Sequence, residues 1–174
     1  MKGVLALIEQ ILAEHKLIIQ RAQTLEQVAN DAETIVGLEK AKDAFMPGRF
    51  EPKQGLQKLK EALAVIDKGV KAHFDREEKG LLAAFEKHGD KEFVSALRSL
   101  LLEHEDLRDR LAHSKKHVAE LTDGGLSRHV WEASAHDMRA HISHTRKLFE
   151  AHAEIEQELF QKLRDRLPKE NKGK

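Results

Sequence analysis

The chain has 174 residues, enough for one domain with a sizeable hydrophobic core and short of two. Its 30 Lys plus Arg balance 30 Asp plus Glu, which leaves no basic footprint for nucleic acid, and no apolar run approaches the roughly 20 residues that span a bilayer. Cysteine is absent, which excludes disulfides, thiolate metal sites and cysteine nucleophiles and suits a reducing, cytoplasmic setting.

The start, Met1-Lys2-Gly3 and then Val4 to Ile8, has the outline of a signal peptide. Glu9 and Glu14 interrupt it and no small-residue cleavage site follows, so it is expected to belong to the mature protein. Helical periodicity then dominates. A first helix is predicted over about 3–30, with Leu5, Ile8, Leu12, His15, Ile19, Ala22 and Ala29 along one broad face. A looser segment at 31–45, with room for a short extra helix, ends at Met46-Pro47-Gly48. Pro52 and Gly55 mark the close of this connection, which is long, covering 31–55. A second helix over about 56–87 runs through Gly69 and Gly80. His88-Gly89-Asp90 reads as a tight turn, with Gly89 the helix stop and Asp90 the N-cap of a third helix over about 91–121. Asp123-Gly124-Gly125 makes the next turn, Ser127 caps a fourth helix continuing to about 167, and Pro168 opens a Lys-rich tail. No segment carries a strand signal of substance. The expected fold is all-α: an antiparallel up-down-up-down four-helix bundle over 1–168, with a long connection between the first two helices and a flexible C-terminal tail at 169–174.

Histidine is abundant, with 11 copies, and four of them recur in a pattern. Ile11-Leu12-Ala13-Glu14-His15 resembles Leu100-Leu101-Leu102-Glu103-His104, and Ala72-His73 with Glu77 resembles Ala151-His152 with Glu156. Residues four apart share one helix face. Each His-x-x-x-Glu therefore presents an imidazole and a carboxylate to one place, a donor pair that suits iron, manganese and zinc. His15 and His104 lie about 13 residues from the starts of their predicted helices, and His73 and His152 about 14 from the ends of theirs. At a rise of about 1.5 Å per residue, an up-down-up-down bundle sets all four at one level, about 20 Å from the shared end. Glu77 and Glu156 fall one turn nearer that end, where two carboxylates at a common height can bridge two metals. Apolar neighbours agree: Leu97, Leu100, Leu101, Leu107 and Leu111 flank His104. Val70, Leu81 and Ala84 share the side of His73 and Glu77, and Leu148, Ile155 and Leu159 bracket His152 and Glu156. Burying such polar groups without partners is costly, and a cation removes that cost.

The segments EHKLI, HFDREEKGLL, EHEDLR and HAEIEQELF resemble the signature segments of the hemerythrin-like cation-binding domain, and the resemblance covers nearly the whole chain. It implies a non-haem di-iron centre in which His15, His73, His104 and His152 are terminal ligands and Glu77 and Glu156 bridge the metals. Two iron ions are the implied cofactor, with zinc or manganese as substitutes. Oxygen-carrying members have a further histidine four residues after the first on the third helix. Arg108 stands there in this chain, which fits the four-histidine, two-glutamate branch that includes iron-cluster repair proteins. Those repair proteins carry a cysteine-bearing N-terminal segment that this sequence lacks.

On this reading the chain binds or reacts with a small molecule (oxygen, peroxide or nitric oxide) at a metal with an open position. The alternatives are iron or oxygen sensing, or iron delivery without turnover, and a metal-free helical interaction module. A ferritin-like di-iron enzyme is disfavoured, because that class builds its site on Glu-x-x-His and no such spacing occurs here. No nucleic-acid or membrane partner is expected. The other polar residues receive plainer readings. His113 and His117 form a solvated pair on the outer face, and His141 lines the interior at the far end or pairs with an acid. His88 with Glu92 is an accidental match, His129 and His136 are solvated, and Trp131 is packing. Glu14, Glu78 and Glu103 are read as exposed acids, with a role in orienting the imidazoles as the second reading of Glu14 and Glu103.

Overall fold

A computed structural model describes residues 2–39, 52–88, 90–123 and 125–166. All regular structure in them is helical: α1 (Lys2–Glu39), α2 (Pro52–Arg76), a π-helical turn (Glu77–Leu81), α3 (Leu82–His88), α4 (Lys91–Thr122) and α5 (Arg128–Arg166). α2, the π-turn and α3 follow one another without a break and occupy the place of the predicted second helix. Both ends of the expected connection prove helical. α1 runs on through Ala32 and Glu33 to Glu39, since no proline arrives before Pro47. Pro52 opens α2, where a preset φ and a missing N–H cost nothing. The intervening 40–51, Gly89, Gly124 and the tail from 167 lie outside the described residues. Asp90 caps α4 as expected, its carboxylate accepting the Phe93 amide at 3.0 Å. Before α5 the Ser127 carbonyl accepts the Trp131 amide at 2.8 Å.

Buried positions step by three and four in turn on every helix. In α1 they are Ile8, Ile11, His15, Ile18, Ala22, Leu25 and Ala29. In α2 they are Leu56, Leu59, Leu63, Ile66, Val70 and His73, and Glu77 continues the step. α4 repeats the rule from Phe93 through His104 to Leu121, and α5 from Trp131 through His152 and Glu156 to Leu163. This is the seven-residue repeat of helices packed along a shared seam. It corrects the predicted faces in detail. Ile11 and Ile18 take the core positions in place of the half-buried Leu12 and Ile19, Leu101 and Leu148 are half-buried, and Ile155 is exposed.

The π-turn breaks this rule once. After His73 and Glu77 the repeat would bury residues 80 and 84. The turn spends one extra residue, so Leu81 and Phe85 become the fully buried pair. Gly80 is left against α1, where a Cβ would stand 3.1 Å from Leu7 Cδ2.

α1 packs against α2 and α5, and α4 packs against α2, α3 and α5. The apolar interior falls into two bodies. The larger contains Ile18 to Ala29, the buried residues of α2 up to Phe74, and those of α4 from Leu107 and of α5 up to Ala153. The smaller joins Ile8 and Ile11, Leu81 and Phe85, Phe93 to Leu100, and Leu159 to Leu163. Each fully buried Leu, Ile or Phe contributes about 1.5–3 kcal/mol. Between the two bodies, on every seam, the repeat places polar side chains instead.

Candidate metal centre

The polar layer consists of His15, His73, Glu77, His104, His152 and Glu156, each at most 4% exposed. The structure brings all six sequence-derived candidates together. They form two overlapping groups, His15–His73–Glu77–Glu156 and Glu77–His104–His152–Glu156, and either can hold a metal ion. The four imidazoles all turn the same nitrogen inward. His15 Nε2 lies 3.0 Å from Glu156 Oε2 and 3.5 Å from Glu77 Oε1. His73 Nε2 lies 3.0 Å from Glu77 Oε1, and His104 Nε2 lies 3.1 Å from Glu77 Oε2. His152 Nε2 lies 3.4 Å from Glu156 Oε1 and 3.1 Å from His104 Nε2.

The outward nitrogens of three histidines meet carboxylates. His73 Nδ1 lies 3.0 Å from Glu14 Oε2, His104 Nδ1 2.9 Å from Glu78 Oε1, and His152 Nδ1 2.8 Å from Glu103 Oε2. An ionised carboxylate only accepts, so each of these Nδ1 atoms carries the proton and donates it. In the neutral ring Nε2 then holds a bare lone pair. The lone pairs of His104 and His152 thus face each other at 3.1 Å, and that of His73 faces a carboxylate oxygen at 3.0 Å. Such contacts repel unless a positive charge stands among them.

Hydrogen bonding does not supply the missing partners. His15 Nε2, His73 Nε2 and both carboxylate oxygens of Glu77 and of Glu156 are buried at ion-pair distances without hydrogen-bond geometry, and His15 Nδ1 is buried with no hydrogen-bond partner. Six inward donors of nitrogen and carboxylate-oxygen type, orphaned in this way, fit a first-row metal.

The same charge balance acts on protons. Burial drives the Glu77 carboxyl up, but the close imidazoles of His104, His15 and His73 outweigh burial and hold it well below the usual carboxylate range. Burial pulls His15 down, yet Glu156 and Glu77 push it up to about 9, and His152 is raised by Glu156 and Glu103 in the same way. In metal-free protein a raised histidine contributes stability that is complete below its ordinary value of 6.5 and lost as pH climbs through about 9. Metal-stripped chain is therefore expected to show a melting temperature that falls between these limits. Chain carrying a cation on His15 should show no such fall over that window, because the proton has been displaced. Thermal melts at stepped pH check this.

Three further residues complete the surroundings. Phe74 is fully buried and stacks on His104 with ring centroids 3.8 Å apart. Arg108 lies over Phe74 at 5.2 Å and pairs with Glu78 at 2.8 Å, so it steadies the partner of His104. Arg76 pairs with Glu14 at 2.8 Å, and the Glu14 carboxyl is lowered: burial raises it, but His73, Gln10 and Arg76 prevail. Glu14 and Glu78 are thus half-buried instead of exposed, and Glu103, exposed as expected, also meets His152. Each adjoins a seam residue in sequence, a position that reaches the neighbouring helix. Glu14 accordingly serves His73 rather than His15, and Glu103 serves His152 rather than His104. Trp131 is packing as expected, buried with its indole N–H donated to the Leu121 carbonyl at 3.1 Å. His129 and His136 are exposed.

No helix among the described residues is long and apolar enough to cross a membrane. Comparison with protein-family models, with curated proteins and with solved structures gives no match.

Proposed function

We propose that the chain is a hemerythrin-like protein whose six-residue layer holds two iron ions and binds or reacts with oxygen, peroxide or nitric oxide. The observation that carries this reading is the six-residue layer itself, in which the inward nitrogens of His15 and His73 and all four carboxylate oxygens of Glu77 and Glu156 are buried without hydrogen-bond partners, while His104 and His152 turn Nε2 toward each other at 3.1 Å. An antiparallel up-down-up-down bundle is the arrangement that accounts for it. The smaller apolar body unites the start of α1, the end of the α2–α3 segment, the start of α4 and the end of α5, as alternating helix directions require.

Glu77 and Glu156 belong to both four-residue groups, which suits them to bridge two cations. The two glutamates supply two negative charges and Glu103 adds one behind His152, while Arg76 and Arg108 balance Glu14 and Glu78. Bound iron would supply an electron-rich centre with open positions for a small ligand. The chain's own part is to keep that ligand small and dry. Phe149 stands 6.2 Å from both His15 and His73, and beyond it lies an apolar cavity of about 30 Å³ lined by Ile18, Val70, Leu107 and Ile142.

Protein purified without a histidine tag is expected to carry about two irons per chain and to absorb in the near ultraviolet when oxidised. Nitric oxide or oxygen added to the reduced form should change that spectrum. Protein that contains no metal, and takes up none when offered ferrous iron, would leave the metal-free interaction module as the surviving reading.

A further inference from the structure

A second group of histidines stands away from the core layer. His113 and His117 lie one turn apart on α4, with ring centroids 4.2 Å from each other. His141 faces them from α5, 4.8 Å from His113 and 6.4 Å from His117. Neither a solvated outer pair nor an interior histidine describes this arrangement. His117 and His141 are half-buried, and the three rings gather on the seam between the two helices. Along α5, His141 precedes His152 by about 16 Å at the helical rise.

Two of the rings are set up as donors of a lone pair. His141 Nε2 lies 3.1 Å from the Arg110 carbonyl oxygen, which can only accept, so Nε2 carries the proton and Nδ1 is left bare. A backbone carbonyl holding the far side of an imidazole in this way is the usual support of a metal-bound histidine. His117 Nδ1 is buried with no hydrogen-bond partner, a cost that burial imposes and a ligand would relieve. Imidazoles bound to one cation at about 2.0–2.1 Å keep their ring centres within about 6 Å of one another. Two of the three separations already meet this, and rotation of the exposed His113 and half-buried His117 side chains closes the third.

We propose that His113, His117 and His141 form a separate surface site for a divalent cation of the zinc, nickel and copper class, the class that all-imidazole donor sets favour. The site is independent of what the core layer holds. Full-length untagged protein is dialysed to equilibrium against zinc, in parallel with His113→Gln and His117→Gln variants, and zinc and iron are counted per chain. Both substitutions fall outside the six-residue layer and leave the apolar cores untouched. The expected result is one zinc fewer in each variant than in the parent, with iron content and melting temperature unchanged. Equal zinc in parent and variants overturns the proposal, and so does a variant that loses core iron along with zinc, since the two sites would then not be separate.

Discussion

A Glu77→Gln chain is expected to lose both cations, whereas a His15→Gln chain loses one. The difference follows from membership. The Glu77 carboxylate belongs to both four-residue groups and lies within 3.5 Å of three inward imidazole nitrogens, while His15 belongs to one group alone. Glutamine keeps the volume and removes the charge, so packing survives and the electrostatic partner does not. Removing one partner of a buried ionic set costs about 3–5 kcal/mol, which at about 1.4 kcal/mol per decade is two to three orders of magnitude in affinity at each position. Metal per chain and the near-ultraviolet band report the loss, and far-ultraviolet circular dichroism verifies the helices. A Glu77→Gln protein that kept its full complement would remove the bridging role.

The second large effect belongs to residues outside the layer. Alanine at Glu14, Glu78 or Glu103 takes away the acceptor that fixes one imidazole's proton on Nδ1, and such outer partners are typically worth about 10–100-fold in metal affinity. Exposure predicts the order. The side chain of Glu14 is 19% exposed, that of Glu78 31% and that of Glu103 52%, so water replaces Glu103 most readily and Glu14 least. Competition with a chromophoric chelator should therefore rank the losses Glu14 first and Glu103 last. An Arg108→Ala chain should show a weaker form of the Glu78 effect, since Arg108 holds Glu78 in place. Three variants indistinguishable from the parent would show that these carboxylates do not orient the histidines.

The six layer residues were legible in the sequence because they sit on seams, and seams are what periodicity reports. His15, His73, His104, His152 and the two glutamates each take the place of an apolar residue in a three-four alternation, so their convergence follows once the helices are placed. The phase of the first helix was less legible. Leu12 and Ile19 are as apolar as Ile11 and Ile18, and a broad apolar face does not declare its centre. The π-turn was hidden for a related reason: Gly80 reads as a tolerated weak point in an α-helix, and nothing local announces that one extra residue will carry Leu81 and Phe85 into the core. The outer carboxylates Glu14 and Glu103 were legible only as a second reading, because a charged residue beside a buried one ordinarily faces water. Only the neighbouring helix, with a histidine at the right height, turns Glu14 into the partner of His73. Beyond Asn30 the sequence reads as a looser segment with room for a short extra helix, and α1 itself continues there to Glu39 because no proline intervenes before Pro47.

The division of the apolar interior into two bodies has a bearing on cooperativity. Hydrophobic contact does not run unbroken from one end of the molecule to the other, since a stratum of imidazoles and carboxylates lies across every seam. The mechanical linkage between the ends then depends on whatever ties that stratum together. If the layer holds cations, the two halves are expected to unfold in one transition, whereas metal-stripped chain is expected to open first at the end built on Phe85 and Phe160, which hydrogen exchange with and without added metal would resolve.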